Sequence, residues 1–266
     1  MTFRGSVLVA ILLGWGCAAR QEAPPTVRVQ VALARELAER GDKEGAFEAA
    51  DAACREAPSD GAARAIRGAL LADRGLLDQA EADLQDAVRL APGLPAGHAA
   101  LAVLYEHRNR PEDAEEEHRR AAQLAPRDAR YLNNLGYALL VHGKPTEALP
   151  ILQQAAREEP MNRRVRNNLG FAWARTNDYT RAAHEFELGG TPAEASNNLG
   201  FAYELSGNLA QARLHYERAL RLDPTLTAAS ENLSRLIHTD SSTREEGRAP
   251  PILENARTTR PPGDLP

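Results

Sequence analysis

The internal repetition of this chain predicts an all-α fold: a right-handed α-solenoid of about six helical hairpins, closed by a C-terminal capping helix. Three observations carry that expectation. The pattern Asn-Asn-Leu-Gly occurs at Asn133–Gly136, Asn167–Gly170 and Asn197–Gly200. Pro58, Pro92, Pro126 and Pro160 follow one another at a constant step of thirty-four positions. Ala, Leu, Arg and Glu, all strong helix formers, dominate the 266 residues, of which only 5% are aromatic, so a large aromatic core is not expected.

Residues 1–16 read as a signal peptide outside the fold. Arg4 gives a short positive start, and the apolar run Val7–Leu13 is well short of the ~20 residues that span a bilayer. Gly14-Trp15-Gly16-Cys17 follows, and its Gly16-Cys17 junction resembles the cleavage box of bacterial lipoproteins. Gly14 at the usual Leu place and the bulky Trp15 depart from that box. The resemblance implies lipidation at Cys17, a tether over residues 17–26, and attachment to the periplasmic face of the outer membrane, since Ala18 follows the Cys rather than Asp.

The solenoid is expected over 27–226, in units 27–60, 61–94, 95–128, 129–162, 163–192 and 193–226. Ala46, Ala80, Ala114 and Ala148 each stand twelve positions before a stop proline, Ala212 stands likewise before Pro224, and Ala182 takes the same place in unit five. Five positions before the Ala landmarks come Gly41, Gly75, Asn109, Gly143, Asn177 and Gly207, residue types that tolerate the left-handed conformation ending a helix. Gly68, Gly136, Gly170 and Gly200 recur inside first helices, where Gly costs about 1 kcal/mol relative to Ala. Direct approach of the two helix backbones is the expected compensation. Unit five is short: the step from Leu169 to Leu199 is thirty positions instead of thirty-four, which removes one turn from its second helix, expected over Tyr179–Leu188. Apolar spacing from Leu226 to Ile237 predicts a capping helix over 227–238. Residues 239–266, rich in Pro, Arg, Thr, Ser and Glu, are expected to be disordered.

Leu135-Gly136, Leu169-Gly170 with Trp173, Leu199-Gly200 with Tyr203, and Leu101-Ala102 with Tyr105 resemble the first-helix signature of tetratricopeptide repeats, whose period is the same as the proline step. That resemblance implies a protein-binding scaffold with its first helices on a concave face. Places 2, 5, 6, 9 and 12–13 of each unit would then line a groove. In units four to six, places 5 and 6 are Asn133-Asn134, Asn167-Asn168 and Asn197-Asn198. An amide both donates and accepts, so this ladder suits an extended peptide backbone, or else settles helix packing. Arg130 and Arg164 at place 2 suit ligand carboxylates. Tyr137, Phe171 and Phe201 at place 9 read as groove contacts or as packing residues. The run Val165–Trp173, followed by the shortened step, resembles outer-membrane tetratricopeptide lipoproteins of pilus and secretion systems, the tight-adherence (Flp) pilus assembly lipoproteins above all. It implies a part in assembling or localising such a machine. A pilotin-like lipoprotein of type IV pili, or a general envelope adaptor, is the alternative.

Net charge −5 does not favour nucleic acid as a partner. No phosphate loop, His-Glu-x-x-His or Gly-x-Ser-x-Gly motif occurs, so neither catalysis nor a cofactor or metal is expected. The seven histidines read as mostly exposed, Glu115–Glu117 as a solvated helix face, and Cys54 as a small buried hydrophobe.

Overall fold

The computed structural model describes residues 23–246, with side chains as far as His238. The signal peptide, Cys17, most of the tether and residues 247–266 lie outside the described residues. Among those described there are thirteen helices and no strand. They form six hairpins: α1 (Pro25–Glu39) with α2 (Lys43–Glu56), α3 (Gly61–Asp73) with α4 (Leu77–Leu90), α5 (Pro95–His107) with α6 (Pro111–Leu124), α7 (Ala129–Val141) with α8 (Pro145–Glu158), α9 (Arg163–Arg175) with α10 (Tyr179–Gly189), and α11 (Pro192–Leu205) with α12 (Leu209–Leu222). A single helix, α13 (Thr227–Glu246), follows.

Two expected boundaries move. Helix α1 begins at Pro25, inside the expected tether, because proline at the first helical position lacks only an N–H that would be unpaired there anyway. Helix α13 runs to Glu246, well past the expected end of the cap at position 238. No Gly or Pro interrupts it before Gly247, and extending an existing helix costs far less than starting one.

Each hairpin turns on one left-handed residue. Gly41, Gly75, Asn109, Gly143, Asn177 and Gly207 have φ between 55° and 83°, the conformation expected of them. The landmarks Ala46, Ala80, Ala114, Ala148, Ala182 and Ala212 are fully buried. Helix α10 has 11 residues where the other second helices have 14, so unit five lacks one turn.

The recurrent glycines act differently from the expectation. Each leaves room for one large side chain of the second helix: Leu84 over Gly68, Leu152 over Gly136, Phe186 over Gly170 and Tyr216 over Gly200. Only at Gly200 does the facing backbone also come close, with the Ala212 carbonyl oxygen 3.2 Å from where a Cβ would stand. All four side chains are fully buried. The glycine thus exchanges helix propensity for apolar burial, which contributes about 1.5–3 kcal/mol per large side chain.

First helices pack on neighbouring first helices, α1 on α3, α3 on α5, α7 on α9, α9 on α11 and α11 on α13, whereas second helices make no comparable contact with one another among the described residues. The first-helix layer is therefore the tighter one, and the array bends around it. The core is continuous across units rather than closed within one, as stacking repeats require.

Candidate peptide-binding groove

Asn133, Asn167 and Asn197 stand at equivalent places on α7, α9 and α11, and each is tied to the next helix of the layer. Asn168 Nδ2 donates to Asn133 Oδ1 at 2.8 Å, Asn198 Nδ2 to Asn167 Oδ1 at 3.2 Å, and Asn232 Nδ2 to Asn197 Oδ1 at 3.0 Å. The two amides of each pair thus divide the work: place 6 donates back to place 5 of the unit before. Asn134 begins the ladder without such an acceptor, because place 5 of unit three is Ala99. The amide nitrogens of Asn133, Asn167 and Asn197 and the carbonyl oxygens of Asn168 and Asn198 make no hydrogen bond among the described residues. Three donors but only two acceptors therefore stay open along the ladder, since Arg235 donates to Asn232 Oδ1 at 3.0 Å, and the Asn133 and Asn197 side chains that carry two of those donors are largely buried.

The ladder reaches one helix further than the sequence pattern indicates. Asn232 supplies its last rung, and Arg235 of α13 pairs with Glu204 at 3.0 Å. Glu204 also accepts the Tyr216 hydroxyl at 2.5 Å. Helix α13 is thus the first helix of a seventh unit without its partner. Glu231-Asn232-Leu233-Ser234 is the degenerate copy of Asn-Asn-Leu-Gly that signals it.

Around the ladder, Arg130 is exposed, bonds Asp128 at 2.8 Å and lies over the Tyr131 ring. Arg164 is exposed at the same place on α9. Arg163 and Arg166 are engaged, Arg163 with the Gly189 carbonyl and Glu194, Arg166 with the Pro160 carbonyl and Glu185. Tyr137 is 37% exposed and Val141, one turn on, 49%. Phe171 and Phe201 are half-buried and meet edge to face with ring centres 5.9 Å apart. Phe171 also packs on Phe186. The aromatic row thus packs and faces outward at once, whereas the corresponding places on α3 and α5 carry Ala69 and Val103.

A second set of polar residues lies outside the expected ladder. At place 4, Arg64, His98 and Arg166 bond the carbonyls of Pro58, Pro92 and Pro160, and each reaches an acid on the second helix of its own unit: Asp83, Glu117 and Glu185. The signal for it is a basic residue six places after a stop proline. His98 and His118 are buried rather than exposed, because each replaces a core residue and recovers a glutamate partner. Glu115 is buried too, under Lys144, Arg119 and His142. Burial opposes its charge, yet those three partners hold its pKa down at about 2. Cys54 is buried and free, and burial pushes its thiol up to about 11.

No group of His, Cys, Asp and Glu suited to a metal occurs among the described residues, and no helix among them is long and apolar enough to cross a membrane.

Comparison with known proteins agrees with the fold. Among solved structures, PilF of Pseudomonas aeruginosa superposes with a TM-score of 0.62 at 18% identity, over 79% of this chain and 97% of that one. YrrB, described as a TPR protein with an unusual peptide-binding site, gives 0.57 at 21% identity, over 73% and 99%. MamA (residue 41 to its end) of Desulfovibrio magneticus RS-1 gives 0.51 at 20%, over 62% and 94%. At these identities the likeness is one of fold. No curated protein matches the chain. Tetratricopeptide repeat profiles match residues 31–95, 133–191 and 193–226, more than half of the sequence. The chain belongs to the tetratricopeptide repeat family, whose members serve as protein-binding scaffolds.

Proposed function

We propose that this protein is a lipid-anchored scaffold, without catalytic activity of its own, that holds extended segments of other proteins along α7, α9 and α11. The observation that carries the reading is the half-used amide ladder, with a donor left at each of its three steps and an acceptor at the first two, beside half-exposed rings. Such groups bond a peptide backbone whatever its side chains, while Arg130 and Arg164 select acidic ones. YrrB offers a parallel for peptide binding on the same fold.

The resemblance of Val165–Trp173 and of the shortened step after it to tight-adherence pilus lipoproteins supports a place in assembling or localising an envelope-spanning pilus or secretion machine, with the lipid on Cys17 holding the scaffold at the outer membrane. The regular spacing of the other units favours a second reading, a pilotin-like lipoprotein assisting a secretin, against which the shortened α10 speaks.

A library of synthetic unstructured peptides, screened against the full chain and against Tyr137→Ala/Arg164→Ala, tests the groove. Capture should fall about tenfold in the variant with helical circular dichroism unchanged; equal capture by both proteins would remove the assignment. Cys17→Ser should shift the protein from the membrane to the soluble fraction, and persistent membrane binding would remove the anchor.

A further inference from the structure

We infer that the face over α7, α9 and α11 takes a polyproline-II segment, and that residues 247–266 of this same chain are its resident occupant. The inference rests on the peptide-groove reading and names the ligand class for it.

Spacing comes first. Packed helices stand ~8–10 Å apart, so the unused amide donors of Asn133, Asn167 and Asn197 repeat at about that interval. A polyproline-II helix presents the same face every third residue, about 9.3 Å, whereas a β-strand does so every ~6.7 Å. A polyproline-II chain therefore meets one donor per unit over three units, and a strand drifts out of register after one.

Chemistry agrees with spacing. A polyproline-II chain has no internal hydrogen bonds, so its carbonyls need donors, and side-chain amide nitrogens supply them. Proline rings pack on aromatic faces, and Tyr137, Phe171 and Phe201 border the amide row.

Residues 247–266 have the matching composition, with Pro250-Pro251-Ile252 and Pro261-Pro262 eleven positions apart. They also have the reach. Twenty residues at the polyproline-II rise of ~3.1 Å each would span about 60 Å, counted from Glu246. From α13 back to α7 is three helix spacings, about 30 Å, and a first helix of 13 residues is only about 20 Å long. The segment can cross the groove from one corner to the other.

The test uses the full chain with a photo-crosslinking phenylalanine in place of Ile252. Irradiation of the monomer should give intrachain adducts to peptides covering 133–141, 167–175 or 197–205. Adducts only elsewhere, adducts only between chains, or none at all would overturn the inference. The further change of Pro250, Pro251, Pro261 and Pro262 to Ala should lower the adduct yield at least fivefold, and an unchanged yield would overturn the polyproline-II assignment. If the synthetic library finds ligands but the tail gives no groove adduct, this inference falls alone. If neither binds, the groove reading falls with it.

Discussion

Gly189, the last residue of the shortened α10, presses against Asn167: a Cβ on Gly189 would stand 2.5 Å from Asn167 Oδ1 and 3.1 Å from Arg166 Cβ. That oxygen accepts the Asn198 rung, and the Gly189 carbonyl accepts Arg163. The missing turn and the ladder are thus parts of one arrangement. Removal of one turn leaves the first helices in phase, so the rung survives a sequence separation of 31 where its neighbours span 35. Gly189→Ala should displace Asn167 and cost ~1–3 kcal/mol, as overpacking does. Urea unfolding measures it, and a midpoint equal to wild type would show that Asn167 yields without loss.

The packing role of the recurrent glycines separates two substitutions of the same kind. At Gly170 a Cβ would stand 2.6 Å from the buried Phe186 ring, so Gly170→Ala should destabilise by about 1–3 kcal/mol despite the better helix propensity of Ala. At Gly97 the nearest atom would be 3.8 Å away, ordinary contact, so Gly97→Ala should be neutral or stabilising by up to ~1 kcal/mol. Loss of stability at both positions to the same extent would refute the argument.

What the sequence shows and hides follows from the range of each interaction. The hairpin turns are legible because a left-handed residue selects Gly or Asn locally, as Asn109 and Asn177 do. The shortened unit is legible because counting positions is enough. What fills the space over Gly136 is not legible, since Leu152 comes from another helix. The same holds for Arg166 with Glu185, and for His118, whose burial depends on Glu106 on the preceding helix. The groove amides are visible as letters, but their division into a bonded and an open half depends on how adjacent units stack. Asn232 is hard to find because Ser234 replaces the glycine that marks the other copies.

The rung from Asn168 to Asn133 should appear as a coupling energy. In a double-mutant cycle with Ala at both positions, the pair should couple by ~0.5–1.5 kcal/mol, the net value of a neutral hydrogen bond. The pair Asn134 and Ala99 provides the control, because no rung exists there. Asn134→Ala should cost less than Asn168→Ala. Zero coupling between Asn133 and Asn168 would mean that water replaces the rung without penalty, and the inter-unit role of the ladder would be lost.

The pH dependence of stability should carry a signature of His98. Both of its ring nitrogens face acceptors, Nδ1 at 2.6 Å from Glu117 and Nε2 at 3.1 Å from the Pro92 carbonyl. Only the doubly protonated ring can donate to both. Burial opposes the charge, but these two hydrogen bonds outweigh it and raise the pKa above the ordinary 6.5. With the folded value above the unfolded one, this contribution is complete below about pH 6.5 and is lost as pH rises through the folded pKa. His215 acts in the opposite sense: burial, then Arg218, lowers its pKa, so its contribution is complete above about 6.5 and fades as pH falls. The two oppose each other in the total profile, so the measurement is the stability difference between wild type and His98→Gln by urea unfolding at pH 5.5, 7 and 8.5. That difference should be largest at pH 5.5 and shrink towards 8.5, because only the protonated imidazole uses both acceptors. A difference that stays constant across the three values would show that folding does not raise the pKa of His98, and one that grows towards pH 8.5 would show that the ring is held neutral in the fold.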